Sequence, residues 1–74
     1  TSLAMFWCAA DMVKLLLSKA LEKDEESVAA YHEAEKIFMS MQRLYPKIYD
    51  DTGAAQQTLN NLAEALKVTL NRVK

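Results

Sequence analysis

Helix-breaking residues occur at only two places in this chain, and their positions limit the folds it can adopt. Pro46 and Gly53, its single proline and single glycine, lie close together, and the other break is the charged run at residues 22–27. No stretch of strand length alternates apolar and polar residues, and β-branched residues are sparse, so strands are not expected. Two breaks leave three segments of helical length. The sequence therefore predicts an all-α fold, an antiparallel three-helix bundle.

Apolar residues recur at helical spacing in each segment. Helix 1 is predicted from Ser2, as N-cap, to Lys23, with a core face of Leu3, Phe6, Ala10, Val13, Leu17 and Ala20. Helix 2 is predicted to start near Asp24–Glu26 and to end or kink before Pro46; its apolar positions are Val28, Tyr31, Ala34, Ile37, Phe38, Met41, Leu44 and Tyr45. Ile48 is expected to return to the core. Helix 3 is expected to be capped by Asp50, Asp51 or Thr52 and to bury Ala55, Leu59, Leu62, Leu66, Leu70 and Val73.

Helix 1 carries more apolar residues than one core face can use. Between Leu3 and Leu21, 15 of 19 positions are apolar, whereas a helix of a small bundle needs one buried stripe. Asp11 and Lys14 interrupt the segment, so no run reaches the roughly 18–20 apolar residues of a bilayer span. The surplus instead predicts a second apolar surface that packs on a neighbouring domain or on a second copy of the chain. This surface consists of Trp7, Met12, Leu15 and Leu16.

Composition argues against several classes of function. Lys and Arg number 9 against 10 Asp and Glu, so no basic surface is available for nucleic acid. Cys8 is the single cysteine, and its apolar helix predicts a buried, unreactive side chain. The chain begins with Thr1 and not with Met. We expect residues 1–74 to form a single domain, excised from a larger cytoplasmic protein.

Catalytic and metal-binding residues are not grouped in this sequence. His32 has no second histidine, cysteine or carboxylate pair at a spacing that would complete a zinc site. One glycine cannot form a phosphate-binding loop. We therefore expect no enzyme activity, no metal and no cofactor. The enzymatic alternative, a phosphotransfer domain, would need His32 exposed beside a lysine.

Two segments resemble the MIT (microtubule-interacting and trafficking) domain, a three-helix bundle of similar length. In the first segment Tyr31 is followed by Ala34 and Phe38, and the apolar residue Val28 lies three positions before it. The second, residues 63–70, is an A-E-x-L-K-x-x-L string in helix 3. The stretch Tyr31-His32-x-Ala34 also resembles the tandem MIT-like tails of autophagy-initiating kinases, in which two such bundles pack on each other. That arrangement would explain the apolar helix 1.

The resemblance implies that an amphipathic helical segment binds in a groove between helices 2 and 3 or between helices 1 and 3. It further implies a trafficking or autophagy context, with recruitment to endosomal or autophagic membranes through partners. Candidate partner-binding residues are Ile37, Met41, Leu59, Ala63, Glu64, Lys67 and Leu70. The core stripe of helix 3 is flanked on one side by Asn60, Ala63, Lys67 and Leu70, and on the other by Asn61, Ala65, Val68 and Arg72. The alternative is a structural domain that self-associates, or packs on a neighbour, through helix 1.

Overall fold

Three helices form an antiparallel bundle, which confirms the predicted fold class. The computed structural model describes residues 1–73; Lys74 lies outside them. Helix α1 spans Ser2–Ala20, α2 spans Ser27–Leu44 and α3 spans Ala54–Val73. A short 3₁₀ turn, Tyr45–Lys47, follows α2 and contains Pro46. No strand occurs in residues 1–73.

The first helix is capped one residue earlier and ends three residues earlier than predicted. The N–H of Ala4 donates to Oγ1 of Thr1 at 3.2 Å, so Thr1 is the N-cap and Ser2 the first helical residue. After α1, Lys23 adopts a left-handed backbone with φ of 57°. This conformation, common just beyond a helix C-terminus, breaks the run of helical residues.

Asp24 and Ser27 fix the start of α2. The N–H of Asp24 donates to the Ser27 hydroxyl at 2.8 Å, and the N–H of Glu26 donates to the Asp24 carboxylate at 2.9 Å. The buried Ser27 hydroxyl is thereby satisfied, which a polar group inside a protein requires.

Asp50 caps α3, as one of the three predicted candidates. Its two carboxylate oxygens accept from the N–H groups of Ala55 and Gln56, each at 3.0 Å, and the Tyr45 hydroxyl donates to it at 3.0 Å. These backbone N–H donors hold the pKa of Asp50 below its usual value. Gly53 next to the helix has φ of 75°, a conformation that favours glycine.

The core runs along the bundle axis and joins all three helices. Its buried apolar members are Phe6, Ala10, Val13, Leu17, Ala20, Ala30, Tyr31, Ala34, Phe38, Met41, Ala55, Leu59, Leu62 and Leu66. Partly buried residues pack against it, and the predicted Ile48 is one of them. The predicted core position Leu3 is wrong, because its side chain is 44% exposed, and Val28, the first apolar position of α2, is 50% exposed. Both lie in the first turn of a helix, at an end of the bundle where neighbouring helices cover them least.

The contacts at the two ends of the bundle fix the helix directions. The Phe6 ring near the start of α1 lies 6.4 Å from the Tyr45 ring just after α2. At the other end, Val28 near the start of α2 lines a surface hollow with Arg72 and Val73 at the end of α3. The helices α1 and α3 therefore run parallel to each other and antiparallel to α2, and the carboxyl ends of α1 and α3 lie at the same end of the bundle.

Candidate helix-binding groove

A surface groove runs between α1 and α3, the pair of helices that packs least closely. Its volume is 470 Å³. Two residues of α1, the C-cap residue that follows it and six residues of α3 line it: Leu17, Ser18, Leu21, Asn61, Glu64, Ala65, Val68, Thr69 and Arg72. The lining of α3 runs from Asn61 to Arg72, which is about 16 Å along the helix axis. A groove of this length suits a helical segment better than a compact small molecule.

Two hydroxyl side chains line the groove, but both are hydrogen-bonded within their own helices, so the floor offers a ligand mainly apolar contacts. The Thr69 hydroxyl donates to the carbonyl of Ala65 at 2.7 Å, and the Ser18 hydroxyl donates to the carbonyl of Lys14 at 3.1 Å. Since each hydroxyl is satisfied by its own helix, neither needs a partner's polar group. The Leu21 and Val68 side chains, each 44% exposed, are left to contact a ligand.

The small side chain of Ala65 deepens the groove between these apolar residues. Ala65 is partly buried and packs against the core. A larger residue at this position would fill the space between α1 and α3. The lining residues Asn61, Ala65, Val68 and Arg72 are the predicted second flank of helix 3. The sequence therefore identified the α3 wall of this groove but did not single out Leu21, its α1 counterpart.

Two exposed charges of opposite sign stand on the rim. Glu64 and Arg72 are eight residues apart on α3, about 12 Å along the helix axis. Within residues 1–73, neither lies within ion-pair distance of an opposite charge. Both charges are therefore available to a ligand.

Arg72 also lines a second hollow at the same end of the bundle, together with Lys23. The nearby Lys19 is already paired within the chain. Its ammonium group lies 3.1 Å from Glu22 and 3.4 Å from both Asp24 and Glu26. Hydrogen bonds to these carboxylates, to Glu22 above all, raise the pKa of Lys19 well above its usual value. Lys23, like Arg72, has no such partner in the part of the chain that the structure describes. Asp24 lines the same hollow as Lys23 and Arg72, so this end of the bundle carries charges of both signs.

The predicted partner-binding residues do not form one surface. Met41 is fully buried and Leu59 is 8% exposed, so both belong to the core, and their prediction as contact residues is corrected. Glu64 lines the α1/α3 groove. Exposed Ala63 and Lys67 lie outside that groove, on the flank of α3 that also carries the partly buried Leu70.

Ile37 lies on a different side of α2 from the residues that approach α3. Val28 shares a hollow with the end of α3, and Ile37 follows nine residues later, which is about two and a half helical turns. The two side chains therefore point to opposite flanks of α2. Ile37 is partly buried and packs against the core, so it does not join the α3 residues in a common groove.

The outer side of α1 carries an apolar stripe that differs in part from the predicted surface. Met12 and Leu15 are 52% and 72% exposed, as expected, but Leu16 is partly buried against the core. Cys8 is exposed, which overturns its predicted burial. The exposed stripe consists of Met5, Cys8, Met12 and Leu15, spaced three and four residues apart.

Trp7 does not belong to this stripe. Its indole is 37% exposed and packs edge-on against the Phe6 ring, with 5.3 Å between the ring centroids. Five residues separate it from Met12, which places the two side chains about 140° apart around the helix. The predicted second apolar surface therefore divides between two sides of α1.

His32 is exposed on α2, and its ring lies 5.7 Å from that of Tyr31. Within residues 1–73, no three His, Cys, Asp or Glu side chains are grouped so that they could hold a metal ion. In the same residues, no helix is both long and apolar enough to cross a bilayer. No protein-family model, curated protein or solved structure matches this chain.

Proposed function

We propose that this chain is a non-catalytic interaction module that binds one amphipathic helical segment in the groove between α1 and α3. The observation that carries the proposal is an elongated apolar floor between helices, with satisfied hydroxyls and two rim charges, Glu64 and Arg72, that have no ion-pair partner within residues 1–73. An amphipathic helix matches this pattern, because it presents apolar side chains along one face and charged ones beside them.

The expected affinity is micromolar. Two or three leucines of the ligand would reach the floor formed by Leu21, Ala65 and Val68. Burial of each leucine contributes about 1.5–3 kcal/mol, and association costs several kcal/mol. The difference corresponds to weak, reversible recruitment.

The resemblance to MIT domains supports the same kind of ligand, a helical segment in an interhelical groove. On that basis the proposed context is endosomal trafficking or autophagy, in the cytoplasm, with membranes reached through partners. The ligands to test first are therefore leucine-bearing helical segments from the tails of ESCRT subunits.

A titration followed by amide chemical shifts tests the proposal. We expect an ESCRT-tail peptide to shift the amides of residues 17–21 and 61–72. Leu21→Gln should weaken binding by about tenfold, equivalent to about 1.4 kcal/mol. Leu3→Gln is a matched control, because Leu3 has the same exposed fraction as Leu21, 44%, at the other end of α1. Shifts that miss both groove walls, or equal losses in the two variants, would contradict the proposal.

A second candidate function is self-association through the exposed stripe Met5, Cys8, Met12 and Leu15. These four exposed side chains lie side by side along one face of α1, and contiguous apolar patches of this kind often mark interaction sites. Pairing with a second copy through one helix face would give a small interface, as in weak and transient complexes. Sedimentation equilibrium should show a dimer at high micromolar concentration that Leu15→Glu abolishes. A strict monomer at that concentration would exclude this function.

A further inference from the structure

Trp7 lies on the same flank of α1 as the groove between α1 and α3. Trp7, Lys14 and Leu21 are spaced seven residues apart, and seven residues complete two helical turns to within about 20°. The three side chains therefore form one row along α1. Leu21 lines the groove at one end of this row, and the exposed indole of Trp7 lies about 21 Å from it along the helix axis.

The α3 side of the groove continues toward the same end of the bundle. Ala54 and Gln57 precede the lining residue Asn61 by seven and four residues, so they share its flank of α3, and both are exposed. Because α1 and α3 run parallel, the start of α3 lies at the Trp7 end of the bundle. The side-chain amide of Gln57 donates to Oδ1 of Asn61 at 3.0 Å. Trp7 is therefore the large apolar side chain at this end of the groove flank.

The Trp7 indole is only partly used by its own domain. It packs edge-on against Phe6, with 5.3 Å between the ring centroids, and 37% of the residue is exposed. Tryptophan is enriched among the residues that contribute most to protein–protein binding, because one indole offers a large rigid apolar surface. The exposed part of the ring can therefore accept an apolar side chain of a ligand.

Lys14 lies between Trp7 and Leu21 and adds a charge to the row. It is exposed, and within residues 1–73 no carboxylate lies within ion-pair distance of its ammonium group. The aliphatic part of a lysine side chain can lie along an apolar ligand while its charged end reaches the ligand's flank. A carboxylate beside the apolar face of a bound helix would pair with it.

We infer that the amphipathic helix bound between α1 and α3 extends beyond the groove to Trp7, with an apolar side chain on the indole and a carboxylate beside Lys14. This inference rests on the proposed function and defines the length and chemistry of its partner. The groove alone would hold about three turns of helix. The row from Trp7 to Leu21 instead requires a helix of about 14 residues or more.

Intrinsic fluorescence tests the inference, because Trp7 is the single tryptophan. The probe is a synthetic peptide of about 16 residues, long enough to be partly helical, without aromatic residues. It has blocked termini, leucines along one face and glutamates along one flank of that face. We expect the peptide to shift Trp7 emission to shorter wavelength and to reduce its quenching by acrylamide, over the concentrations at which the amides of residues 17–21 and 61–72 shift.

The two readouts separate the inference from the proposed function. Shifts of the groove amides with unchanged Trp7 emission and quenching would overturn the inference and leave groove binding intact. If the peptide shifts no groove amide, the proposed function fails together with the inference.

A matched pair of variants measures the contribution of the indole. Trp7→Ala should weaken binding of the peptide by about tenfold or more, as at the strongest positions of an interface. Met12→Ala is the control and should leave the affinity unchanged, because Met12 is 52% exposed but lies about 140° from Trp7 around α1. Melting temperatures show whether both variants fold, and if Trp7→Ala does not, the fluorescence of the wild-type protein decides. Equal affinities of the two folded variants would overturn the inference.

A second peptide, with glutamine in place of each glutamate, tests the carboxylate beside Lys14. At low salt Lys14→Gln should bind the glutamate peptide about twofold to fivefold more weakly than the wild-type protein does, the size expected for an exposed charge pair. It should bind the glutamine peptide as tightly as the wild-type protein. The same change in affinity for both peptides would overturn the acidic flank assigned to the ligand.

Discussion

Replacement of Met41 tests whether this side chain belongs to the core or to a binding surface, because only a core position lowers the free energy of unfolding substantially. The side chain of Met41 is fully buried, whereas Met39, two positions earlier on α2, is 48% exposed. Replacement of either by alanine removes the same atoms from the same helix. Any difference in the free energy of unfolding therefore reports burial and not helix propensity.

The cost of Met41→Ala follows from its burial. Truncation of a fully buried methionine removes its transfer free energy and leaves a cavity, and such changes cost about 2–5 kcal/mol. For a chain of this length the total stability is about 4–11 kcal/mol. A loss of 2–4 kcal/mol would lower the melting temperature by roughly 8–32 °C, since 1 kcal/mol corresponds to about 4–8 °C in a small domain. Met39→Ala should stay within about 0.5 kcal/mol of the wild-type protein.

Urea unfolding followed by circular dichroism at the helical minimum measures both variants. Their m-values should equal that of the wild-type protein, so that the change in midpoint gives the change in stability. Equal destabilisation in the two variants, or a cost below about 0.5 kcal/mol for Met41→Ala, would refute the placement of Met41 in the core. In that case the original prediction of Met41 as a partner contact would regain support.

Three further predictions concern single sites. The pKa of Asp50 is lowered in the folded state, so its stabilising contribution is complete above about pH 4 and is lost as the pH falls through that lowered pKa. Asp50→Asn should therefore lose less stability in acid than the wild-type protein. Parallel curves of stability against pH for the two proteins would contradict this. Lys23→Gly should stabilise the protein by about 0.5–1 kcal/mol and Gly53→Ala should destabilise it by about 1 kcal/mol. Both residues have positive φ, and no atom lies within 4 Å of a Cβ built on Gly53, so the second cost is conformational. The exposed Cys8 thiol should react with Ellman's reagent in the native protein at nearly the rate seen in urea, whereas a buried thiol would react far more slowly.

Periodicity predicted the centre of each buried face better than its edges. In α1 the predicted stripe is buried from Phe6 to Ala20, because residues three and four apart repeat on one side of a helix. Leu16, one position before the buried Leu17, was predicted on the outside but is partly buried. The width of a buried face depends on how closely two neighbouring helices approach, and the spacing of apolar residues does not specify that distance.

The α3 wall of the groove was predictable, but the choice of groove was not. Both flanks of α3 carry an alanine beside the core stripe, Ala63 on one and Ala65 on the other. Ala65 lines the groove between α1 and α3, and Ala63 does not. That difference arises from the relative positions of whole helices. The sequence does not specify these positions. From the sequence alone, the flank with Ala63, Lys67 and Leu70 is therefore as plausible a contact surface as the flank with Ala65.

The apolar surplus of α1 is distributed over two separate surfaces, and this separation has a testable consequence. Leu21 lines the groove, whereas Met12 lies nine residues earlier and therefore on the opposite side of α1. Leu15, 72% exposed, lies outside the groove as well. A helix bound between α1 and α3 would thus leave the stripe Met5, Cys8, Met12 and Leu15 uncovered, so that a second copy could still bind there. Leu15→Glu should abolish self-association without changing peptide affinity, and Leu21→Gln should have the reverse effect. A variant that impairs both activities would show that the two surfaces are coupled or that one of them has been assigned incorrectly.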